Sequence, residues 1–283
     1  MKKENQYKSY DYMVLMDFSE ASYIALKYAI SMAKVQNACI HIFHVIDQDE
    51  KIADENLDSL TQIIEKERKS VTILQSSICE MIHTEGIETK SLVEFGDLIW
   101  MIKDQTQKIN PDLVFVGKKE GKNKNDSRLI KYLLDDYKGS ILIVQKDQQF
   151  KESSQIVLGC SKRTLRSCNI DFALELGKLT RKALHAFHIQ KSNFYSKSEG
   201  LSDEWKQLEK NNPEIKCTYH KGAQIIDGMI TFMQQNKSDL VCLGRGKRRE
   251  SLWSKVFDSS GYLDQLVDRI NIPILVLETN PEM

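Results

Sequence analysis

Asp112-Leu-Val-Phe-Val-Gly117 decides the reading of this chain: one polar residue, a run of branched and aromatic apolar side chains, and a glycine at the exit. Four apolar residues in a row are too few for a helix and too uniformly apolar for a half-solvated strand, so the stretch reads as a strand buried on both faces. Asp239-Leu-Val-Cys-Leu-Gly244 repeats it in the second half. After each copy come a lysine- or arginine-rich loop, an amphipathic helix and a last apolar strand, Ile141 to Val144 and then Ile274 to Leu277. A pattern that recurs in one order along a chain is an internal repeat, and here it implies two similar domains.

Upstream of the first copy the same alternation holds. Tyr12 to Met16 reads as a strand that ends at Asp17-Phe18-Ser19. Ala21, Ile24, Ala25, Tyr28, Ala29, Met32 and Ala33 then form one helical stripe with Ser19 as N-cap. Ala38 to Ile46 is a second strand. About Ala53 to Thr84 is a helix whose apolar stripe Glu67 interrupts, so a break midway is expected, and Gly86 stops it. Ile87 to Phe95 is a third strand, followed by a helix opening at Gly96-Asp97. The second half replays this order: Ile156 to Gly159, a helix carrying Leu165, Phe172, Ala173, Leu176 and Leu179, a strand from Ala183, a short helix near 202–210, a strand Ile215 to His220 and a helix Ala223 to Gln235. Strand and helix in alternation give two tandem open parallel five-stranded sheets with helices on both faces, over domains 1–147 and 148–283.

With 40 basic and 40 acidic residues among 283, the chain has no global pull toward nucleic acid or an anionic membrane. No leader-like or membrane-spanning apolar run is present, and a cytoplasmic location is expected. The six cysteines form no Cys-x-x-Cys pair, which weighs against a disulfide scaffold and against a zinc site. His41-x-x-His44 recurs as His185-x-x-His188, but residues three apart on a strand face opposite ways, so no metal is expected there. Cys160, Ser161, Asp171 and His188 contain the letters of a nucleophilic triad without its glycine-flanked elbow, and no catalytic residue is assigned. The basic loops carry the phosphate-binding candidates: Gly117, Gly121 and Ser127 in the first half, Gly244, Gly246, Ser259 and Ser260 in the second.

Asp17-Phe-Ser-Glu-Ala-Ser, His44-Val45, the Asp112 to Gly117 strand and the closing Ile141 to Val144 together resemble the universal stress protein family, with the second half a divergent copy. The resemblance implies a Rossmann-like fold of the adenine-nucleotide α-hydrolase type and an intramolecular pseudo-dimer in which the last strands of the two halves pair. It further implies a role in stress adaptation, with an adenine nucleotide such as ATP as the natural ligand class. Asp17, Val45 and Gly117 match the family's nucleotide positions. Gly121 comes one residue late, no Gly-Ser pair follows near Ile130-Lys131, and the second half has Gly159-Cys160-Ser161 where the acid belongs. The expectation is a non-catalytic sensor or interaction module with degenerate nucleotide sites, requiring no cofactor, able to form a homodimer and, separately, to bind a protein partner still to be named. The rival reading is an ATP-binding switch with at most slow hydrolysis.

Overall fold

The computed structural model describes residues 9–48, 57–119, 124–191, 202–245 and 260–279. Its elements run β1 (Tyr10–Leu15), α1 (Glu20–Gln36), β2 (Ala38–Asp47), α2 (Leu57–Thr84), β3 (Thr89–Gly96), α3 (Leu98–Ile109), β4 (Leu113–Gly117), α4 (Lys124–Asp135) and β5 (Ile141–Val144). The second half continues with β6 (Ile156–Gly159), α5 (Lys162–Ser167), α6 (Asp171–Lys178), β7 (His185–Lys191), α7 (Ser202–Asn211), β8 (Lys216–Gly222), α8 (Ile225–Gln235), β9 (Leu240–Gly244), α9 (Ser260–Arg269) and β10 (Ile274–Leu277). Each half contributes five strands, and the fold is α/β with mostly parallel strand pairing and helices on both faces.

Two compact units emerge: Met1–Leu129 with Asp147–Gln149, and Ile130–Lys146 with Phe150–Met283. In the first, β2 pairs in parallel with β1 and β3, and β1 with β4. Tyr12, Met13, Val14, Ile40, Ile42, Leu113, Val114 and Phe115 are all buried, which is why these strands read as continuous apolar runs. The Tyr12 hydroxyl donates to Gln36 Oε1 near the end of α1, so this buried polar tip is satisfied. Helix α1 begins as the sequence predicts: Ser19 is extended and accepts the Ser22 N–H. Helix α2 runs unbroken through Glu67, contrary to the expected interruption. Glu67 sits on the stripe because it faces a cavity, described below.

In the second unit, β6 pairs in parallel with β7 and β9, β7 with β8, and β9 with β10. Strand β5 belongs to this unit although the repeat puts it at the end of the first half. It lies antiparallel to β10, with Leu142 opposite Leu275. The pairing of last strands implied by the resemblance is therefore present. The division of contacts falls before β5 for that reason, and not at the repeat boundary. Among the described residues the connection after β7 holds the ten-residue α7 where the first half has the 28-residue α2, as the spacing implies. The single helix expected across Leu165 to Leu179 is two, α5 and α6. Cys168 leaves helical geometry (φ −115°, ψ 147°) to bridge Thr279, and the Asn169 N–H donates to Glu278 O at 3.0 Å. Backbone pairing with the segment after β10 thus interrupts a pattern that is helical by side-chain spacing alone.

Candidate functional site

Above the C-terminal ends of β1, β2 and β4 lies a cavity of about 360 Å³. That is within the range of small-molecule sites and at the place where open parallel sheets hold ligands. Asp17 and Phe18 reach it from the exit of β1, His44, Val45 and Asp47 from β2, Gly117 and Lys119 from the exit of β4, and Glu67 from α2, over an apolar floor that includes Phe43 and Ile102.

Asp17 is held from three sides. Its Oδ1 accepts the Ser19 N–H at 3.0 Å and the Ser19 hydroxyl at 2.5 Å, and its Oδ2 lies 2.6 Å from Lys119 Nζ. Partial burial pushes its carboxyl up, but the Lys119 and Ser19 hydrogen bonds outweigh that and hold it down at about 2. Phe18 between them adopts a left-handed backbone (φ 60°), a conformation an aromatic residue resists, and its ring packs 5.1 Å from the His44 ring. His44 Nδ1 donates to the Met16 carbonyl at 2.7 Å, which fixes the tautomer and ties the exit of β1 to β2.

Of the residues expected from sequence, Asp17, Val45 and Gly117 are brought together on this cavity. Gly117 has a packing reason of its own: a Cβ there would meet the Ala21 carbonyl oxygen at 2.0 Å and the Ser22 nitrogen at 2.8 Å, so glycine is what lets α1 cross the strand end. Ser127 is exposed on α4 and does not line the cavity. Gly121, Gly246 and Ser259 lie outside the described residues, and of Ser260 only its place at the start of α9 is described.

The equivalent exit in the second half is built differently. Ser161 caps α5 by accepting the Thr164 N–H at 3.0 Å, and Thr164 closes over Gly244, where a Cβ would meet its Cγ2 at 2.7 Å and its Oγ1 at 2.8 Å. Arg245 turns inward. It is 4% exposed, and its guanidinium donates to the Leu133 and Leu134 carbonyls at the end of α4, the latter at 2.7 Å, and to the Gly139 carbonyl at 2.9 Å. The Leu133 and Leu134 carbonyls are ones that a helix terminus leaves without intrahelical partners. Burial lowers the guanidinium to about 10, and its Nε has no partner among the described residues. Cys160 is buried and its thiol is pushed well up by burial, while His188 Nδ1 donates to the Cys160 carbonyl at 2.8 Å. That His188 bond copies the His44 bond of the first half.

Sequence reasoning missed Lys119 and Arg245, which it took only as part of the basic loops that carry the phosphate-binding candidates. It also missed the clamp that His44 and His188 make on the first-strand exits. For the histidines a signal existed: the second residue of each H-x-x-H pair recurs at one register in both halves.

These features define a class: a parallel α/β protein whose first half carries a small-molecule-sized cavity over its strand ends. Residues 12–134 match the model of the universal stress protein family, and the length of the chain fits a tandem form. It is similar in fold to a universal stress protein from Archaeoglobus fulgidus, 15% identical, with 95% of this chain and 98% of that one covered and a TM-score of 0.73. A putative universal stress protein from Pseudomonas aeruginosa is 13% identical, with 95% and 93% covered and a TM-score of 0.58. The cytoplasmic domain of a prokaryotic cation chloride cotransporter is 13% identical, with 98% of each chain covered and a TM-score of 0.55. No curated protein matches. Among the described residues no helix is long and apolar enough to cross a membrane.

Proposed function

We propose that the chain is a non-catalytic sensor module of stress adaptation whose first-half cavity has lost its fit to ATP. The observation that carries this is the ion pair of Asp17 with Lys119, 2.6 Å apart at the cavity mouth. The carboxylate that would grip a ribose or base is already bonded by the chain itself. A nucleotide has to displace Lys119 and Ser19 from it, forfeiting roughly 1.5–3 kcal/mol per charge-assisted bond, or ten- to a hundredfold in affinity. Two further carboxylates, Asp47 and Glu67, line the same space, where a polyphosphate would be repelled. The absence of catalysis is supported by the state of the two candidate nucleophiles: the Cys160 thiol is buried and protonated, the Ser161 hydroxyl caps α5, and His188 has its Nδ1 on a backbone carbonyl.

The rival, an ATP-binding switch, is favoured by one observation, the cavity itself with Asp17, Val45 and Gly117 on its wall. Calorimetry of the whole chain with Mg-ATP separates the two. The sensor reading expects a Kd weaker than about 1 mM and no phosphate release. Micromolar binding that Asp17→Ala abolishes would overturn it in favour of the switch.

A further inference from the structure

At the other end of the first unit's sheet, where β1 and β2 begin, three potential metal ligands meet. Asp11 and Cys39 are register partners on adjacent parallel strands, and His41 lies two residues beyond Cys39, on the same face. One ligand atom from each lies within 4.8 Å of the others, and His41 Nε2 is 2.7 Å from Asp11 Oδ1. We propose that Asp11, Cys39 and His41 bind a late first-row divalent cation, with zinc the reference ion and a fourth position open to solvent.

The donor set selects the ion. A sulfur, an imidazole nitrogen and a carboxylate oxygen suit zinc and its neighbours and are wrong for magnesium or calcium, which take oxygen. Three protein ligands with one position left over is the composition of an open zinc site. Around a tetrahedral ion with bonds of about 2.0–2.3 Å, ligand atoms stand roughly 3.3–3.6 Å apart, so the set needs only sub-ångström to ångström adjustments from where it stands. The Asp11–His41 contact opens slightly and Cys39 Sγ closes in. Entry is from the Asp11 side: its side chain is 48% exposed, against 14% for His41, while Cys39 is buried beneath them.

Burial, reinforced by the nearby Glu88 carboxylate, pushes the Cys39 thiol up to about 11, so it carries its proton when no metal is present. Metal binding breaks that S–H bond, forms the metal–thiolate bond and releases the proton to water, with no change of oxidation state. Among the described residues the cation acting on the Cys39 thiol is Lys90, the register partner of His41, and its Nζ is 3.3 Å from Glu88 Oε1, which offsets its charge.

The second half supplies an internal control. Gln155 donates its N–H to Asp239 Oδ2 as Asp11 does to Asp112 Oδ2, and His185 pairs with Val157 as His41 does with Met13. At these matched positions the histidine remains, but Gln155 and Ala183 replace Asp11 and Cys39. His185 Nε2 is instead 2.8 Å from Thr218 Oγ1, and its ring meets Phe232 edge-on at 4.9 Å. The histidine is shared scaffold, and the thiol and carboxylate are what the first half adds.

The test is a titration of the reduced whole chain with cobalt(II), read by the thiolate-to-cobalt charge-transfer band and the visible bands of four-coordinate cobalt. One equivalent should give both, and zinc should bleach them. Cys39→Ser should remove the charge-transfer band, while Cys79→Ser and Cys217→Ser, at the half-exposed thiols elsewhere, should keep it. Asp11→Asn, at a half-exposed side chain, should weaken binding tenfold or more, and Lys90→Ala should tighten it. No band in the wild-type chain, or a band that survives Cys39→Ser, overturns the proposal and leaves Asp11 and His41 as an ordinary hydrogen-bonded pair.

Discussion

The two halves end their anchor strands with the same glycine and then part. After Gly117 the chain stays at the surface and sends Lys119 across a cavity to Asp17. After Gly244 it sends Arg245 into the protein to bond three carbonyls. One basic run therefore ends in an ion pair at a cavity mouth and the other in a buried cap. The difference follows from the partner available: the first half has an acid at its β1 exit, while the second has Cys160 and Ser161 there, which offer an arginine no countercharge.

The sharpest way to break this comparison is at the glycines. Gly117→Ala drives a methyl into the backbone of Ala21, which cannot move without shifting α1, and should cost about 3 kcal/mol or more in urea unfolding. Next in size is Arg245→Met. It leaves the Leu133, Leu134 and Gly139 carbonyls unbonded and should cost about 2–3 kcal/mol, whereas Lys119→Met should cost under about 1 because that pair is half-exposed. Gly244→Ala meets only the side chains of Thr164 and Cys168, so a loss of about 1–2 kcal/mol is expected, smaller than at Gly117. Equal losses at the two glycines would show that the exits are packed alike.

The smallest effect is electrostatic. Asp17 titrates near 2 in the folded chain against about 3.8 as the ordinary value, so its contribution is fully present above pH 4 and is lost as pH falls through about 2. Its side chain is 46% exposed, which limits the contribution to about 1 kcal/mol. Asp17→Asn should therefore narrow the stability gap between pH 5 and pH 2.5 by about that amount. An unchanged gap would mean that Lys119 does not hold the carboxylate in solution.

Strands β4, β5, β9 and β10 were legible because burial on both faces leaves only apolar residues and an exit glycine in them, and α1 because its stripe of alanines and its Ser19 cap are local. Asp17, Val45 and Gly117 were legible as a group because the strand ends that carry them are brought together by the parallel topology. The break between α5 and α6 was not, since it is imposed by Glu278 and Thr279, far along the chain, on a pattern that is helical by itself. Lys119 and Arg245 were missed for a related reason. A lysine- or arginine-rich run looks solvated until the position of one acceptor is known, and neither Asp17 nor the end of α4 is near in sequence. Glu67 misled in the opposite direction: a charge on an apolar stripe read as a defect in the helix, when it marked the wall of a cavity.

Strand β5 has a consequence in time. It is synthesised with the first half, but its antiparallel partner β10 leaves the ribosome about 130 residues later, a delay on the order of ten seconds at roughly 5–20 residues per second. For that interval Ile141 to Val144, all buried in the finished fold, present an apolar ribbon with its β10-facing hydrogen-bonding edge unmet. The nascent first half is thus born with an adhesive margin that only its own distant tail is shaped to cover. A ribosome stalled between the two repeats would hold a chain prone to capture the same ribbon on a neighbouring nascent copy.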